Sequence, residues 1–239
     1  MNQNQIEKIA KEIQGRVRGT VLFDDFSRGR YSTDSSLYQI TPVGVVVPKD
    51  TNDVLELMNY SQKNNIPLLA RGGGSSQCGQ TVGDCIVLDY SKYQNKILDL
   101  NVAEKTVWVE PGIVLDQLNA HLKQYGLWFP VDVSTSSRAT IGGMTANNSC
   151  GSRSLYYGNM VNNVLAVEAI LDDGTIHTFD DIDKNYLDIT NNHNRKYEII
   201  KNFLEVKERT KEEIDLHFPI TQRRVGGYNI DLINPNGFN

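Results

Sequence analysis

Two glycine-rich segments contain the residue types in this sequence that are best suited to ligand chemistry. Residues 70–80 read Ala-Arg-Gly-Gly-Gly-Ser-Ser-Gln-Cys-Gly-Gln, and residues 139–151 read Ala-Thr-Ile-Gly-Gly-Met-Thr-Ala-Asn-Asn-Ser-Cys-Gly. We name them the first and the second glycine segment. Glycine leaves backbone N–H groups uncovered, so that several of them can donate hydrogen bonds to one phosphate. Two such segments in one small domain predict a ligand with an extended diphosphate. The alternative interpretation is a pair of tight turns that need positive φ.

Two known phosphate-binding patterns fit these segments poorly. From Gly74 the sequence nearly matches G-x-x-x-x-G-K-[ST], but Gln80 stands where that pattern has its phosphate-binding lysine. A strand rather than a helix is predicted to follow, so the helix N-terminus that completes such a site is missing. The dinucleotide pattern G-x-G-x-x-G fails as well, because Gln77 stands where its third glycine is needed. These mismatches disfavour a nucleoside-triphosphate hydrolase and a nicotinamide-binding Rossmann unit.

The composition argues against several classes of partner. The 239 residues have a net charge of −5 and contain no basic stripe, which argues against nucleic acid. No apolar run approaches the length of a membrane span, and we expect no signal peptide at the polar N-terminus. Cys78, Cys85 and Cys150 are odd in number and match no metal-binding spacing. We therefore expect free thiols, no bound metal and a cytoplasmic location.

Hydrophobic periodicity predicts the elements that must hold the first glycine segment. A helix is expected over residues 2–14. Val43–Val47 and Ile66–Ala70 are predicted as strands on either side of a helix that Asp50 or Thr51 caps. Strand, helix and strand in so short a stretch form a βαβ unit, so these two strands should be parallel. The first glycine segment follows the second strand at its carboxyl end, the edge where ligands bind in such sheets.

The rest of the chain is predicted as an arm followed by further strands and helices. Polar residues up to about Tyr38 predict the arm. The later elements are a strand at Ile86–Asp89, a hairpin of Ile97–Asn101 and Thr106–Glu110, a helix at Val114–Gln124, a hairpin of Val164–Leu171 and Thr175–Phe179, and a helix at Glu198–Leu216. No repeat or low-complexity stretch is present.

Residues 71–80 and 134–151 together resemble the flavin-contacting segments of the FAD-linked oxidases that have a vanillyl-alcohol-oxidase (PCMH) type flavin domain. The resemblance continues at residues 38–48, 157–158 and 164–174. Within this family the chain looks like the D-lactate, glycolate and D-2-hydroxyglutarate dehydrogenases. Residues 34–38 and 223–231 are most similar to the large bacterial proteins that fuse a flavin domain to an iron–sulfur domain.

This resemblance implies an α+β fold, a PCMH-type FAD-binding domain of two α+β subdomains with FAD between them. Residues 1–38 would form an N-terminal helix and arm, and residues 39–92 the first FAD-binding subdomain. Residues 93–180 would form the second, and residues 181–239 a helical extension. The substrate domain and the iron–sulfur domain of such enzymes would be missing from this chain. We therefore expect the N-terminal flavin part of a longer enzyme.

The resemblance also implies roles for individual residues. Backbone amides of the first glycine segment would hold the diphosphate, and FAD would bind non-covalently, because Ser75 occupies the position of the histidine that carries flavin in some relatives. Arg71 and Arg138 would offset phosphate charge, with exposed surface arginines as the alternative. Arg224 and Tyr228 would bind a substrate carboxylate. The predicted cofactor-binding residues are Arg71, Gly72, Gly73, Gly74, Ser75, Ser76, Gly79, Gln80, Ser134, Thr135, Thr140, Gly142, Gly143, Ala146, Asn147 and Cys150.

The activity that the resemblance implies is oxidation of a small D-2-hydroxy acid such as lactate, glycolate or 2-hydroxyglutarate by FAD. The sequence indicates neither the electron acceptor nor the catalytic base, and its four histidines have no carboxylate partner at ligand spacing. The alternative is a non-catalytic flavin- or nucleotide-binding module or a truncated remnant. A nicotinamide-dependent dehydrogenase is a third hypothesis.

Overall fold

The computed structural model describes residues 1–182, 194–221, 223–226 and 228–233. The elements in these residues are α1 (Gln3–Gln14), β1 (Thr20–Leu22), α2 (Asp25–Arg30), β2 (Gly44–Val47), α3 (Thr51–Asn64), β3 (Leu68–Arg71), β4 (Ile86–Asp89), β5 (Ile97–Asn101), β6 (Thr106–Val109), α4 (Leu115–Leu122), α5 (Ile141–Ala146), α6 (Ser154–Tyr157), α7 (Met160–Asn163), β7 (Val167–Ile170), β8 (Ile176–Phe179), α8 (Arg195–Arg209) and α9 (Lys211–His217). This mixture of helices and strands confirms the predicted α+β class. Among the described residues, no helix combines the length and the apolar character that crossing a bilayer needs.

A four-stranded sheet in the order β1-β2-β4-β3 forms the centre of the N-terminal half. β2 and β3 each pair in parallel with β4, which lies between them, and β1 pairs antiparallel with β2. Every residue of β2 and of β4 is buried. Continuous apolar runs such as these are typical of central parallel strands that are covered on both faces. The predicted parallel strands are therefore parallel, but they are not neighbours.

Helices α1 and α3 form the larger of the two apolar layers on this sheet. Ile13 of α1 and Leu57 of α3 are buried in one cluster with Val46 and Ile86 of the sheet. Helix α3 begins where Asp50 accepts hydrogen bonds from the N–H groups of the first turn, which confirms Asp50 as the cap. The opposite face is covered by a smaller cluster that includes Val45 and Val87.

The second half contains two separate two-stranded antiparallel sheets, β5-β6 and β7-β8. Both hairpins are present where they were predicted, and no strand end differs by more than three residues. Their strands are only partly covered, and Leu98 and Val167 expose 54% and 39% of their surface. Small clusters around α4 and α5 supply the buried residues here, among them Leu118 and Met144.

Three parts of the structure differ from the sequence prediction. Part of the predicted arm forms β1 and α2, and β1 joins the first sheet. The second glycine segment contains the short helix α5 instead of a turn alone. The predicted helix Glu198–Leu216 is broken at Thr210, which has φ of −104° and ψ of 9° and whose hydroxyl shares the carbonyl of Val206 with its own N–H. The division into subdomains at residues 92 and 93 stays a prediction.

Candidate functional site

The first glycine segment contains a row of unused backbone donors. It leaves β3 at Arg71, and none of the N–H groups from Gly72 to Gln77 donates to an acceptor within the described part of the chain. Gly74 and Gly79 have φ of 63° and 74°, which non-glycine residues rarely adopt. Free donors and positive-φ turns therefore occur together here. Neighbouring N–H groups that no protein acceptor uses are suited to an anion.

The second glycine segment packs directly against the first. A Cβ atom on Gly72 would lie 2.1 Å from Oγ1 of Thr140, and a Cβ atom on Gly73 would lie 2.2 Å from the carbonyl oxygen of Arg138. Nε2 of Gln80 donates to Oδ1 of Asn147 at 2.8 Å. Glycine at positions 72 and 73 therefore permits the close approach of two segments that lie about sixty residues apart in the sequence.

The second glycine segment differs from the first because its leading N–H groups are already used. Ile141 donates to the carbonyl of Ile113, and Gly142 donates to the carbonyl of Pro111, at 2.9 and 2.8 Å. Gly143 donates to Oγ1 of Thr140, which caps α5. Gly142 and Gly143 thus matter because they have no side chain, whereas the free N–H donors of the site lie in the first segment.

The other predicted cofactor residues are distributed around this junction. Ser75 and Ser76 are partly buried, and Oγ of Ser76 accepts from the N–H of Cys78 while it also contacts the side chain of Gln80. The carbonyl of Thr135 accepts from two N–H groups and closes the turn that leads into α5. Ser134, Ala146 and Asn147 are exposed, and Cys150 is partly buried. Their contact with a cofactor stays a prediction.

The guanidinium of Arg71 lies beside Gly74, where a Cβ atom would be 2.5 Å from Nη2, but its terminal nitrogens donate to backbone carbonyls. Nη1 donates to the carbonyls of Tyr31 and Thr81 at 3.2 and 3.1 Å, and Nη2 donates to the carbonyl of Thr33 at 2.8 Å. Burial lowers the pKa of the guanidinium, while the nearby Tyr31 and Asp89 oppose that effect. Arg138, by contrast, has an exposed side chain.

Residues of the N-terminal arm contact the first glycine segment and Thr81, and these contacts were not predicted. Oδ2 of Asp34 accepts from the hydroxyl of Thr81 at 3.0 Å. The ring of Tyr38 lies where a Cβ atom on Gly79 would approach it to 2.6 Å. No local pattern signals these contacts, because the partners are about forty residues or more apart in the sequence.

The residues predicted to bind substrate lie in a segment that docks on the second glycine segment. Nη1 of Arg223 donates to the carbonyl of Gly151 at 3.2 Å, and the carbonyl of Arg224 accepts from the side-chain amides of Asn148 and of the nearby Asn159 at 3.5 and 2.8 Å. The guanidinium of Arg224 pairs with Asp231 at 2.6 Å and lies over the ring of Phe218, whereas Tyr228 is 90% exposed. A substrate carboxylate at Arg224 would therefore compete with Asp231 for the guanidinium. Substrate binding by these two residues stays a prediction.

A small cleft lies beside the carboxyl end of α5. Its volume is about 180 Å³. It is lined by Thr145, Asn148, Met160, Val161, Val164, Ala166, Val167, Phe179 and Asn229. This lining is mostly apolar, and the volume is below the usual range for a drug-sized ligand. Within the described residues no group of His, Cys, Asp and Glu side chains has an arrangement that could hold a metal ion.

Comparison with known proteins gives a consistent result. A family model described as an FAD binding domain matches residues 42–180, which is more than half of the chain. The chain is 36% identical over 217 residues to a D-2-hydroxyglutarate dehydrogenase of Pseudomonas putida, a match that covers 89% of this chain and 22% of that protein. It is 34% identical over 178 residues to the glycolate oxidase subunit GlcD of Bacillus subtilis, which covers 72% of this chain and 37% of that protein. The chain thus spans about a fifth to two fifths of the length of these relatives.

Solved structures resemble the fold at lower sequence identity. An alkyldihydroxyacetonephosphate synthase superposes with a TM-score of 0.65 at 21% identity, over 73% of this chain and 34% of that one. A 6-hydroxy-D-nicotine oxidase from Arthrobacter nicotinovorans superposes with a TM-score of 0.61 at 20% identity, over 69% of this chain and 36% of that one. At such identities the likeness establishes the fold alone, and it confirms the predicted PCMH-type architecture.

Proposed function

Because the chain belongs to the family of FAD-binding domains, we propose that it forms the flavin-binding part of an enzyme that oxidises a small D-2-hydroxy acid. The row of free N–H groups from Gly72 to Gln77, packed against the second glycine segment, is the observation that carries the proposal. The names of the Pseudomonas and Bacillus relatives support the class of substrate.

The residues at the junction fit FAD. Several unpaired backbone donors in succession can bind the two phosphates, which an FAD molecule carries between its flavin and adenosine ends. A Cβ atom on Gly72 or Gly73 would already clash with the second segment, so the cradle depends on glycine at both positions. Ser75 offers no side chain of the kind to which the flavin of some relatives is attached, and the proposed binding is non-covalent.

In the proposed reaction, bound FAD supplies a ring that accepts two electrons from the α-carbon of the hydroxy acid. The task of this chain is to hold the diphosphate in a fixed position and thereby to orient that ring. We assign no catalytic base within the described residues. Arg224 and Tyr228 are the proposed contacts to the substrate carboxylate, and the substrate and iron–sulfur domains that complete such enzymes are proposed to lie outside this chain.

The proposed location is the cytoplasm. Cys78, Cys85 and Cys150 are all free thiols, and Cys78 is exposed. A reducing compartment keeps such thiols unpaired. Fractionation of cells that produce the tagged protein tests the location, and recovery of the protein outside the cytoplasmic fraction would contradict it.

Titration with FAD is the first test of the function. Quenching of flavin fluorescence should saturate at one FAD per chain. FMN lacks the second phosphate and the adenosine, and we expect it to bind at least about tenfold more weakly, which corresponds to about 1.4 kcal/mol. Equal binding of the two flavins would contradict a site built on the diphosphate. No binding of either flavin would contradict the proposed function as a whole.

A chimaera tests the oxidation. The matching 217 residues of the Pseudomonas putida enzyme are replaced by those of this chain, and bleaching of the bound flavin is followed without oxygen. We expect bleaching by D-2-hydroxyglutarate, D-lactate or glycolate, but not by the L-forms of the two chiral acids. The isolated chain should bind FAD, but none of these acids should reduce the bound FAD. A soluble, FAD-loaded chimaera that none of the three acids reduces would instead favour a non-catalytic flavin module.

A further inference from the structure

We infer that Arg71 and the N-terminal arm from Tyr31 to Tyr38 position the diphosphate-binding segment, so that the FAD site extends to residues before the family match. The matched domain begins at residue 42. This inference rests on the proposed function, and it changes the role of Arg71. Instead of neutralising a phosphate, the guanidinium acts on the cofactor through the backbone that it holds.

The guanidinium of Arg71 joins three parts of the chain that would otherwise move separately. Arg71 ends β3 at the start of the first glycine segment, immediately before Gly72, and Thr81 directly follows that segment. By donating to the carbonyls of Thr81, Tyr31 and Thr33, one side chain ties both ends of the segment to the arm. A planar fork with several fixed donors can do this, whereas the single ammonium of a lysine cannot reach all three carbonyls.

The arm is itself anchored to the sheet. The hydroxyl of Tyr31 donates to Oδ2 of Asp89 at 2.5 Å, and the guanidinium of Arg71 lies 5.1 Å from the centre of the Tyr31 ring. Asp89 ends β4 and is 8% exposed. Burial and the neighbouring Asp89 raise the pKa of Tyr31 to about 12, so the hydroxyl keeps its proton at neutral pH. The arm thus has a fixed point on the buried strand next to β3.

A second tie lies at the far end of the segment. Asp34 accepts from the hydroxyl of Thr81 and from the N–H of Ser36 at 3.0 and 2.8 Å. Burial works against its charge, but these hydrogen bonds prevail and lower the pKa of Asp34. The ring of Tyr38 covers Gly79. Arg71 and Asp34 therefore restrain the same short stretch from two directions.

Such restraint matters because the N–H groups from Gly72 to Gln77 have no acceptor within the described residues. A glycine-rich stretch loses much conformational entropy when it is ordered, and a ligand that must order it binds more weakly. With both ends fixed, part of that entropy is already lost in the FAD-free protein. The inference therefore makes a claim about the unliganded chain as well as about the affinity for FAD.

Substitution of Arg71 separates positioning from charge. Arg71→Lys keeps the positive charge but loses the fork, and Arg71→Ala loses both. If Arg71 positions the segment, both variants should weaken FAD binding by about tenfold or more, because each loses hydrogen bonds. Backbone NMR order parameters at residues 72–81 of the FAD-free variants should fall to a similar degree. Arg30→Lys is the control, because Arg30 is exposed and contacts the ring of Phe26.

Two outcomes would overturn the inference. Wild-type affinity in Arg71→Lys together with a loss in Arg71→Ala would show that charge alone matters. Unchanged order parameters in both variants would show that the segment does not depend on Arg71. Because the order parameters are measured without FAD, they test the inference even if the unaltered chain binds no flavin, which would contradict the proposed function instead.

Thr81→Val provides a second test that leaves the charges intact. It removes the hydroxyl bound to Asp34 at nearly constant volume, and we expect FAD binding to weaken about threefold to tenfold. Ser35→Ala, on an exposed position of the same arm, should change nothing. The double variant with Arg71→Lys should lose less than the product of the two single effects, because both ties restrain one segment. Independent effects, or none from Thr81→Val, would contradict a shared restraint.

Discussion

The two halves of the chain differ in how much apolar burial stabilises them. In the first half, β2 and β4 are buried along their whole length between apolar layers. In the second half, β5 and β7 expose much of their surface, and the buried clusters are small. The difference shows that the free donors extend from a sheet with its own core, whereas the segment that packs against them has far less apolar support.

In the second half, hydrogen bonds from polar side chains stabilise part of the structure. Oδ1 of Asn148 accepts from the N–H of Val161, and the side-chain amide of Asn163 donates to the carbonyls of Tyr157 and Asn159. Asp132 accepts from the hydroxyl of Ser152 and the N–H of Arg153. Hydrogen bonds of this kind contribute about 1 kcal/mol each and depend on geometry. Apolar burial is less directional, so the first half should tolerate small shifts better.

A matched pair of leucines tests this comparison with the largest expected effect. Leu57 is 1% exposed in the first core, and Leu98 on β5 is 54% exposed. Leu57→Ala should lower the free energy of unfolding by about 2–5 kcal/mol because it leaves a cavity. Leu98→Ala should change it by less than about 0.5 kcal/mol. Denaturant unfolding followed by circular dichroism measures both effects. Similar losses of unfolding free energy in the two variants would contradict the proposed difference between the halves.

The junction between the halves should respond to Gly73→Ala. The added Cβ atom would lie 2.2 Å from the carbonyl oxygen of Arg138, so one of the two segments must move. Overpacking of this kind costs about 1–3 kcal/mol, and FAD affinity should fall by about tenfold to a hundredfold if the strain acts on the site. In Gly29→Ala, the control, the new Cβ atom meets nothing within 4 Å. Unchanged FAD binding in Gly73→Ala would show that the two segments need not touch.

Acid should loosen the second half by a smaller amount through Asp132. Burial disfavours its carboxylate, but the hydrogen bonds from Ser152 and Arg153 outweigh burial and lower the pKa of Asp132. A lowered pKa adds stability above the unfolded value of about 3.9, and that stability is lost as the pH falls through the folded pKa. The contribution should stay under about 1 kcal/mol because water screens this partly exposed group.

Unfolding curves of the wild type and of Asp132→Asn, recorded from neutral pH down to about pH 3, measure this contribution. The difference between the two proteins should shrink as the pH falls. Asp99→Asn, on the exposed hairpin β5-β6, serves as the control. A difference that stays constant with pH would assign the effect of Asp132→Asn to geometry rather than to its charge.

Local pattern was sufficient for the elements that are long and periodic. Helix α3 with its Asp50 cap, the buried strand β2 and both hairpins were predicted near their observed bounds. Strand β1 was missed because its three residues are too few to show a period and become a strand only by pairing with β2. The helix α5 was missed because its two glycines indicate a turn, whereas Thr140 caps a helix there.

The sequence by itself determined the α+β class, the two glycine segments and the family resemblance, because each depends on residues that are neighbours in the chain. Only the tertiary structure decided which N–H groups remain free, since this depends on acceptors as distant as Pro111 and Ile113. The same holds for Arg71, whose partners Tyr31 and Thr33 precede it by about forty residues. The charge of an arginine is set by its residue type, but its partners are set by the fold.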